Sequence, residues 1–220
     1  DYFFRIVSAE EFARAGTGGL SASLFSHTIG APPIAAVGSE ELKRRVLPQI
    51  LAGEKISALA ITEPSGGSDV ANLKTKAARE GNGFVVNGEK TFITSGMRAD
   101  YYTVAVRTGG PGAAGVSLLL IERDRPGFSR TPLQKMGWWC SDTASLHFDN
   151  VRVPAANLIG EENAGFRAIM RNFNSERLGM AAGAVGFAQT CLDDALDWAR
   201  QRQTFGVTWI LPLAGSMMSA

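Results

Sequence analysis

The sequence predicts an α+β protein: an N-terminal helical segment, a central antiparallel β-barrel or sandwich domain, and a long C-terminal helix from an incomplete bundle. Three observations lead there. Helical signals fill residues 1–57, short extended runs between Gly, Asn and Pro turns fill 58–155, and helical periodicity returns over 156–206. The last stretch, 207–220, has neither charge nor a helical stripe.

In the first segment, Ser8 and Glu11 form a Ser-x-x-Glu capping box, which predicts a helix start at Ser8. A second start is predicted at Ser39, where Glu40 and Glu41 favour the positive end of a helix dipole. Leu42, Val46 and Leu47 give that helix an apolar face, and Pro48 is expected to kink or end it.

In the middle segment, Phe84-Val85-Val86-Asn87-Gly88 reads as a strand entering a turn, with Thr91-Phe92-Ile93-Thr94 returning from it. Tyr102–Val106 and Val116–Ile121 read as further strands joined by the loop around Gly109-Gly110-Pro111-Gly112. Ala144–Val153 alternates apolar and polar residues and stops at Pro154. In the third segment Phe166, Ile169, Met170 and Phe173 recur at helical spacing, and Val185, Ala188, Leu192, Ala195, Leu196 and Ala199 continue the stripe. Between them, small residues concentrate from Gly179 to Ala188. They let other backbones approach closely, so this helix is expected to have neighbours that the rest of the sequence does not supply.

Composition excludes several function classes. Twenty-two Lys and Arg balance 21 Asp and Glu, which argues against a charge-driven nucleic-acid or membrane-surface role. Cys140 and Cys191 form no disulfide framework or zinc spacing, and His27 and His147 lie in no metal-ligand or Ser-His-Asp pattern, so no metal site is expected. No apolar run approaches the roughly 20 residues of a membrane span. The chain reads as soluble and intracellular, and its first residue, Asp1, reads as the start of a fragment or a processed chain.

The densest chemical signal is Ala60-Ile61-Thr62-Glu63-Pro64-Ser65-Gly66-Gly67-Ser68-Asp69. An extended run enters a turn that exposes backbone N–H groups, with hydroxyls at Thr62 and Ser68. It suits phosphate oxygens or a polar heterocycle edge, and it also reads as an ordinary Pro/Gly turn. Glu176 is the other candidate. It lies three residues after Phe173 and four before Met180, which puts a carboxylate on an apolar stripe. Partial desolvation there would raise its pKa toward the range a general base needs. The competing reading pairs Glu176 with a basic residue and puts the base elsewhere. The Gly109–Gly115 run reads as a hairpin loop, Gly16-Thr17-Gly18-Gly19 as a helix connection, Cys140 and Cys191 as packing residues, and Trp138 and Trp139 as core residues or, alternatively, a pocket rim.

The Thr62–Asp69 segment resembles the Thr-Glu-Pro-x-x-Gly-Ser-Asp signature of the acyl-CoA dehydrogenases. The resemblance continues in order through Asn87–Gly96, Gly137, Val151-Arg152-Val153-Pro154, Glu176-Arg177, Ala181–Gly186 and Arg202-Gln203-Thr204-Phe205-Gly206. It implies FAD as cofactor, held by Leu59, Ile61, Thr62, Gly67, Ser68, Phe92 and Thr94. In that reading Thr62 bonds the isoalloxazine edge, and Phe92 stands where many members have Trp. An inward strand residue is the other reading of Phe92, and both can hold. Arg202 and Thr204 resemble residues that reach the FAD of a neighbouring subunit; without the resemblance they read as a solvated helix end.

The resemblance further implies that Ser68, Asn174 and Arg177 lie near the acyl-CoA substrate. Glu176 matches the catalytic base of the isovaleryl-CoA and long-chain branches; in most relatives the base comes from a later segment. After Gly206 the family continues with three more amphipathic helices of a four-helix bundle, and Val207–Pro212 departs from its pattern, which reads as a truncation. The implied function is FAD-dependent α,β-dehydrogenation of an acyl-CoA in fatty-acid and lipid metabolism. Electrons pass to an electron-transfer flavoprotein, from a homotetramer in the cytoplasm, or in the mitochondrial matrix of a eukaryote. The alternatives are a flavin oxidase or monooxygenase on the same scaffold, or a non-catalytic fragment.

Overall fold

The structure, a computed structural model, describes residues 2–16 and 19–208. These form two units, one spanning 18–176 and one combining the first 17 residues with 177 onward. In chain order the elements are α1 (Tyr2–Arg14), α2 (Leu20–Leu24), α3 (His27–Gly30), α4 (Pro32–Val37), α5 (Glu40–Leu51), β1 (Ser57–Ala60), β2 (Lys76–Glu80), β3 (Gly83–Thr94), β4 (Tyr101–Arg107), β5 (Val116–Glu122), β6 (Phe128–Pro132), β7 (Thr143–Pro154), α6 (Gly165–Gln201), β8 (Gln203–Thr204) and β9 (Val207–Thr208). The fold class is that expected from the sequence: N-terminal helices, a curled sheet and a long C-terminal helix.

The helix starting at Ser39 forms as its cap predicts, the Ser39 hydroxyl accepting the Leu42 N–H at 3.1 Å. Two other helical expectations give way. Ser8 lies inside α1, because the Tyr2–Val7 run continues the helix backwards past the capping box. Pro48 lies inside α5, which runs on to Leu51. Pro48 is exposed and only three residues of the helix follow it, so few of its hydrogen bonds are at stake.

The sheet of the 18–176 unit is antiparallel at β2–β3, β3–β7, β6–β7 and β4–β5. The departures lie at β4, which pairs parallel with β2 at Lys76↔Arg107 and parallel with β1 from Ser57↔Tyr101 to Ala60↔Val104; a parallel pair needs a long crossover, and residues 61–100 supply it for β1. The Asn87-Gly88 signal makes no hairpin either. β3 runs unbroken for 12 residues against β7, with register shifts between Val86 and Gly88 and between Lys90 and Ile93. Gly88 has φ +143, and a Cβ there would lie 2.7 Å from the Thr75 Cα. The glycine thus serves a bulge with a close backbone approach, the other use of Gly in a strand.

The two faces of β4 and β5 explain their unbroken apolar runs. Tyr102, Val104, Val106, Leu119 and Ile121 face the inside of the curled sheet with Phe84, Val86, Leu146 and Phe148. Ala105, Leu118 and Leu120 face the other way, onto Ile34, Leu42, Val46 and Ile50 of the helices and onto Ile169 of α6. Full burial of each such large side chain contributes about 1.5–3 kcal/mol, so these strands anchor the unit from both sides. Phe128 of β6 seals the inner cluster, edge-on to Tyr102 at 4.9 Å and stacked on Phe148 at 5.0 Å. The Gly109–Gly115 loop is a hairpin connection as expected, and the Arg107 guanidinium holds it by donating to the Gly110 and Gly112 carbonyls.

In the other unit, Gly186 of α6 meets α1 backbone to backbone: a Cβ there would lie 2.7 Å from the Glu10 carbonyl oxygen. Leu178, Met180, Val185, Leu192 and Trp198 are exposed on the same helix. Phe205 and Gly206, both at positive φ, turn β8 into β9 as a two-residue hairpin. The expected atypical tail beyond Thr208 lies outside the described residues, as do Thr17 and Gly18 of the glycine-rich connection. Trp138, Trp139, Cys140 and Cys191 are exposed, not core or packing residues.

Candidate active site

A cleft in the 18–176 unit is lined by Ser26, Ile29, Leu59, Ile61, Thr62, Phe92, Ile93, Thr94, Phe173 and Glu176. Four segments converge on it: the short helices, the strand-to-turn segment after β1, the end of β3, and α6. Their meeting follows from the backbone. The Thr91 N–H donates to the Thr62 carbonyl at 2.9 Å, which ties the turn segment to β3 where β3 leaves its register with β7.

That irregularity sets the character of the cleft. Between Lys90 and Ile93 the strand bulges, and Phe92 takes φ +59 and is 70% exposed. A left-handed Phe is costly, on the order of 1–3 kcal/mol, and persists only where its surroundings impose it. Here they do. On one side of Phe92, Lys90 is fully buried and donates to Glu63 Oε1 at 2.8 Å and to the Ile61 carbonyl at 2.9 Å. On the other, Ile93 is buried in the core.

The Glu63–Lys90 pair is the feature most easily passed over in the sequence. Glu63 also accepts the Lys74 N–H at 2.5 Å and the Thr75 N–H at 2.9 Å, so three donors, Lys90 among them, surround its buried carboxylate. Burial pushes its pKa up, but the Lys90 charge, the hydrogen bond to it and the two backbone N–H groups outweigh that and hold the carboxyl below its usual range. Burial pushes the Lys90 ammonium down to about 8, with Glu63 opposing the fall. The pair pins the Thr62 segment to β3 from inside, and Thr62, Phe92 and Thr94 face the cleft as a result. The available signal was a lysine at an inward strand position, where a charge needs a buried partner.

Of the site residues expected from sequence, Leu59, Ile61, Thr62, Phe92, Thr94 and Glu176 line this cleft together. Gly67 packs on Thr62, where a Cβ would meet the Thr62 side chain at 2.9 Å, and Ser68 follows it on the exposed turn. Asn174 sits exposed on α6 beside the lining residue Phe173. Arg177, Arg202 and Thr204 belong to the other unit, with the Arg202 N–H donating to the Trp198 carbonyl at the end of α6 and Thr204 paired with Val207. The sequence did not single out Ser26 or Ile29, because nothing local links the first helices to the later segments, Leu59 to Glu176, that line the cleft.

The chemistry of the lining is divided. Leu59, Ile61, Ile93 and Phe173 give an apolar slot; Thr62 and Thr94 give hydroxyls at its edge, Phe92 an exposed ring and Glu176 a carboxylate. This set fits a planar heteroaromatic ring with one polar edge. The cavity, about 180 Å³, takes only the reacting part of a large ligand. Among the described residues no cluster of three His, Cys, Asp or Glu side chains could hold a metal ion, and no helix is long and apolar enough to cross a membrane.

Comparison with known proteins decides the family. Residues 1–54, 58–151 and 163–212 match in turn the acyl-CoA dehydrogenase N-terminal, middle and C-terminal domain models. The chain belongs to the acyl-CoA dehydrogenase family. It is 45% identical over 207 residues to the acyl-CoA dehydrogenase AFT10-1 of Alternaria alternata, covering 94% of this chain and 48% of that one. It is 39% identical to the mitochondrial isovaleryl-CoA dehydrogenase of Oryza sativa subsp. japonica, covering 93% of this chain and 51% of that one. A crystal structure of a probable acyl-CoA dehydrogenase from Mycobacterium abscessus superposes with a TM-score of 0.93 at 51% identity, covering all of this chain and 60% of that one. The chain thus spans about half the length of the curated acyl-CoA dehydrogenases it matches. In this family setting the two-sided β4–β5 core and the bulged β3 are the scaffold of the cleft.

Proposed function

We propose that the protein carrying this chain dehydrogenates an acyl-CoA thioester between its α and β carbons, with FAD as cofactor. The observation that carries the reading is the shared cleft: one carboxylate, Glu176, opens onto the same space as Thr62, Phe92 and Thr94. FAD, when bound, supplies the two-electron acceptor for the hydrogen that leaves the β carbon. Thr62 and Thr94 would hold the polar edge of its ring, Phe92 and Ile61 would pack against the ring, and Gly67 and Ser68 would lie toward its phosphates. Glu176 takes the α-proton onto a carboxylate oxygen. Leu59, Ile93 and Phe173 exclude water around that oxygen, which strengthens its interaction with the proton.

Ser68, Asn174 and Arg177 hold the thioester and its carrier in this reading, and Arg202 and Thr204 reach the FAD of a neighbouring subunit of a homotetramer. These roles rest on the family resemblance, as do transfer of electrons to an electron-transfer flavoprotein, a place in fatty-acid metabolism, and a location in the cytoplasm or mitochondrial matrix. The test is anaerobic addition of acyl-CoA to the flavin-loaded protein. The visible flavin absorbance is expected to bleach with formation of the enoyl-CoA and to recover slowly in air. Rapid recovery with stoichiometric peroxide would make the protein an oxidase, and binding without bleaching would remove the reading.

A further inference from the structure

Asn172 lies one helical turn before Glu176 on α6 and is 7% exposed. Its Nδ2 donates to Glu176 Oε1 at 2.7 Å and to the Ile29 carbonyl of α3 at 3.1 Å. A backbone carbonyl can only accept, so the amide nitrogen must face Ile29; its second hydrogen is then the one available to the carboxylate. The amide cannot flip without setting its oxygen against the Ile29 carbonyl. Glu176 is therefore held by a donor that is itself fixed from a second helix.

We propose that Asn172 is a positioning residue for Glu176: it fixes the carboxylate toward the cleft and favours its ionised form. This deepens the reading of Glu176 as the base and rests on it. A base must be ionised before the α-proton arrives, and an apolar cleft works against that. A hydrogen bond from a neutral amide to the carboxylate offsets the burial and is stronger for being charge-assisted. It also removes side-chain freedom that a glutamate would otherwise lose on meeting substrate.

Among the described lining residues, Glu176 is the only ionisable side chain. On the elements that meet at the cleft, the titratable and charged groups are His27 on α3, Arg167 and Arg171 on α6 before Glu176, Glu89 on β3, and the buried Glu63–Lys90 pair. The pair is internally neutralised, and the Asn172 amide donates directly to the Glu176 carboxylate.

The test is a pH titration of the chain labelled with carbon-13 at its glutamate carboxyls. The Glu176 signal is identified by its loss in Glu176→Gln. Asn172→Ala is expected to raise the proton affinity of Glu176 on the order of tenfold, as loss of a hydrogen bond to a charged group implies. Asn172→Leu, which keeps the volume, is expected to do the same, and Asn172→Gln, which keeps a donor, to restore part of the shift. Unchanged midpoints in Asn172→Ala and Asn172→Leu overturn the proposal. In the flavin-loaded protein the acid limb of the pH profile for flavin reduction should move upward with the titration. A moved titration beside an unmoved profile would leave the Asn172 clamp standing and overturn Glu176 as the base, so the two failures are distinct.

Discussion

Replacing Glu176 with Gln in the flavin-loaded protein is expected to slow flavin reduction by acyl-CoA about 10²–10⁴-fold, the usual cost of losing a general base. Gln keeps the length and planarity of the side chain and still offers an oxygen to the Asn172 amide 2.7 Å away. Flavin content and thioester binding should therefore stay near those of the parent, and the loss should fall on the chemical step. The checks are rapid-mixing measurement of flavin bleaching and equilibrium titration of acyl-CoA. A variant that reduces its flavin within a few-fold of the parent rate would move the base off this cleft wall.

The second large effect concerns Glu63 and Lys90. Lys90→Met is expected to destabilise the chain by about 3–5 kcal/mol, because it leaves a buried carboxylate without its counter-charge. Glu63 is 5% exposed and Lys90 is fully buried, so neither can turn to water for compensation. The double variant Glu63→Gln/Lys90→Met should recover part of the loss, which a double-mutant cycle by chemical unfolding would read directly. Acid should act on the same pair. The folded Glu63 carboxyl sits below its ordinary 4.5, so its contribution is complete above that pH and is lost as pH falls through the lower folded value. Glu63→Gln should flatten the acid limb of the stability curve. Equal acid slopes for the parent and this variant would mean that the ion pair is not what acid breaks.

These two effects also mark what was legible in the sequence and what was not. Ser39 announced its helix because an N-cap is local chemistry, and β4, β5 and β7 announced themselves through apolar runs and alternation. The Thr62 turn, Phe92, Thr94 and Glu176 could be named as site residues from motif resemblance, and the structure gathers them around one cleft. Asn87-Gly88 misled because the same dipeptide serves a hairpin or a bulge, and only the partner strand decides between them. β3 stays on β7 for its whole length, so here the glycine bends a strand instead of reversing it. Pro48 was expected to kink or end its helix, and it does not end it, because it sits near the end of α5 with three residues after it. The parallel pairing of β1 depends on where residues 61–100 return, which no local window contains.

Lys90 and Asn172 were hidden for another reason. A lysine in a strand and an asparagine in a helix read as surface residues, and only long-range partners make them interior ones. Glu63 lies 27 residues from Lys90, and Ile29 lies 143 residues from Asn172. Both act on neighbours of the cleft: Lys90 on the Thr62 segment and Phe92, Asn172 on Glu176.

The central claim is that an α-proton leaves a thioester for Glu176 as the β-hydrogen leaves with its electron pair. The most direct measurement is single-turnover reduction of the flavin-loaded protein, without oxygen, by acyl-CoA carrying deuterium at the α carbon. The account predicts slower bleaching with the deuterated substrate than with the protiated one, enoyl-CoA as product, and near-complete loss of bleaching with either in Glu176→Gln. Equal bleaching rates for both substrates that persist in Glu176→Gln, or bleaching without enoyl-CoA, would contradict it.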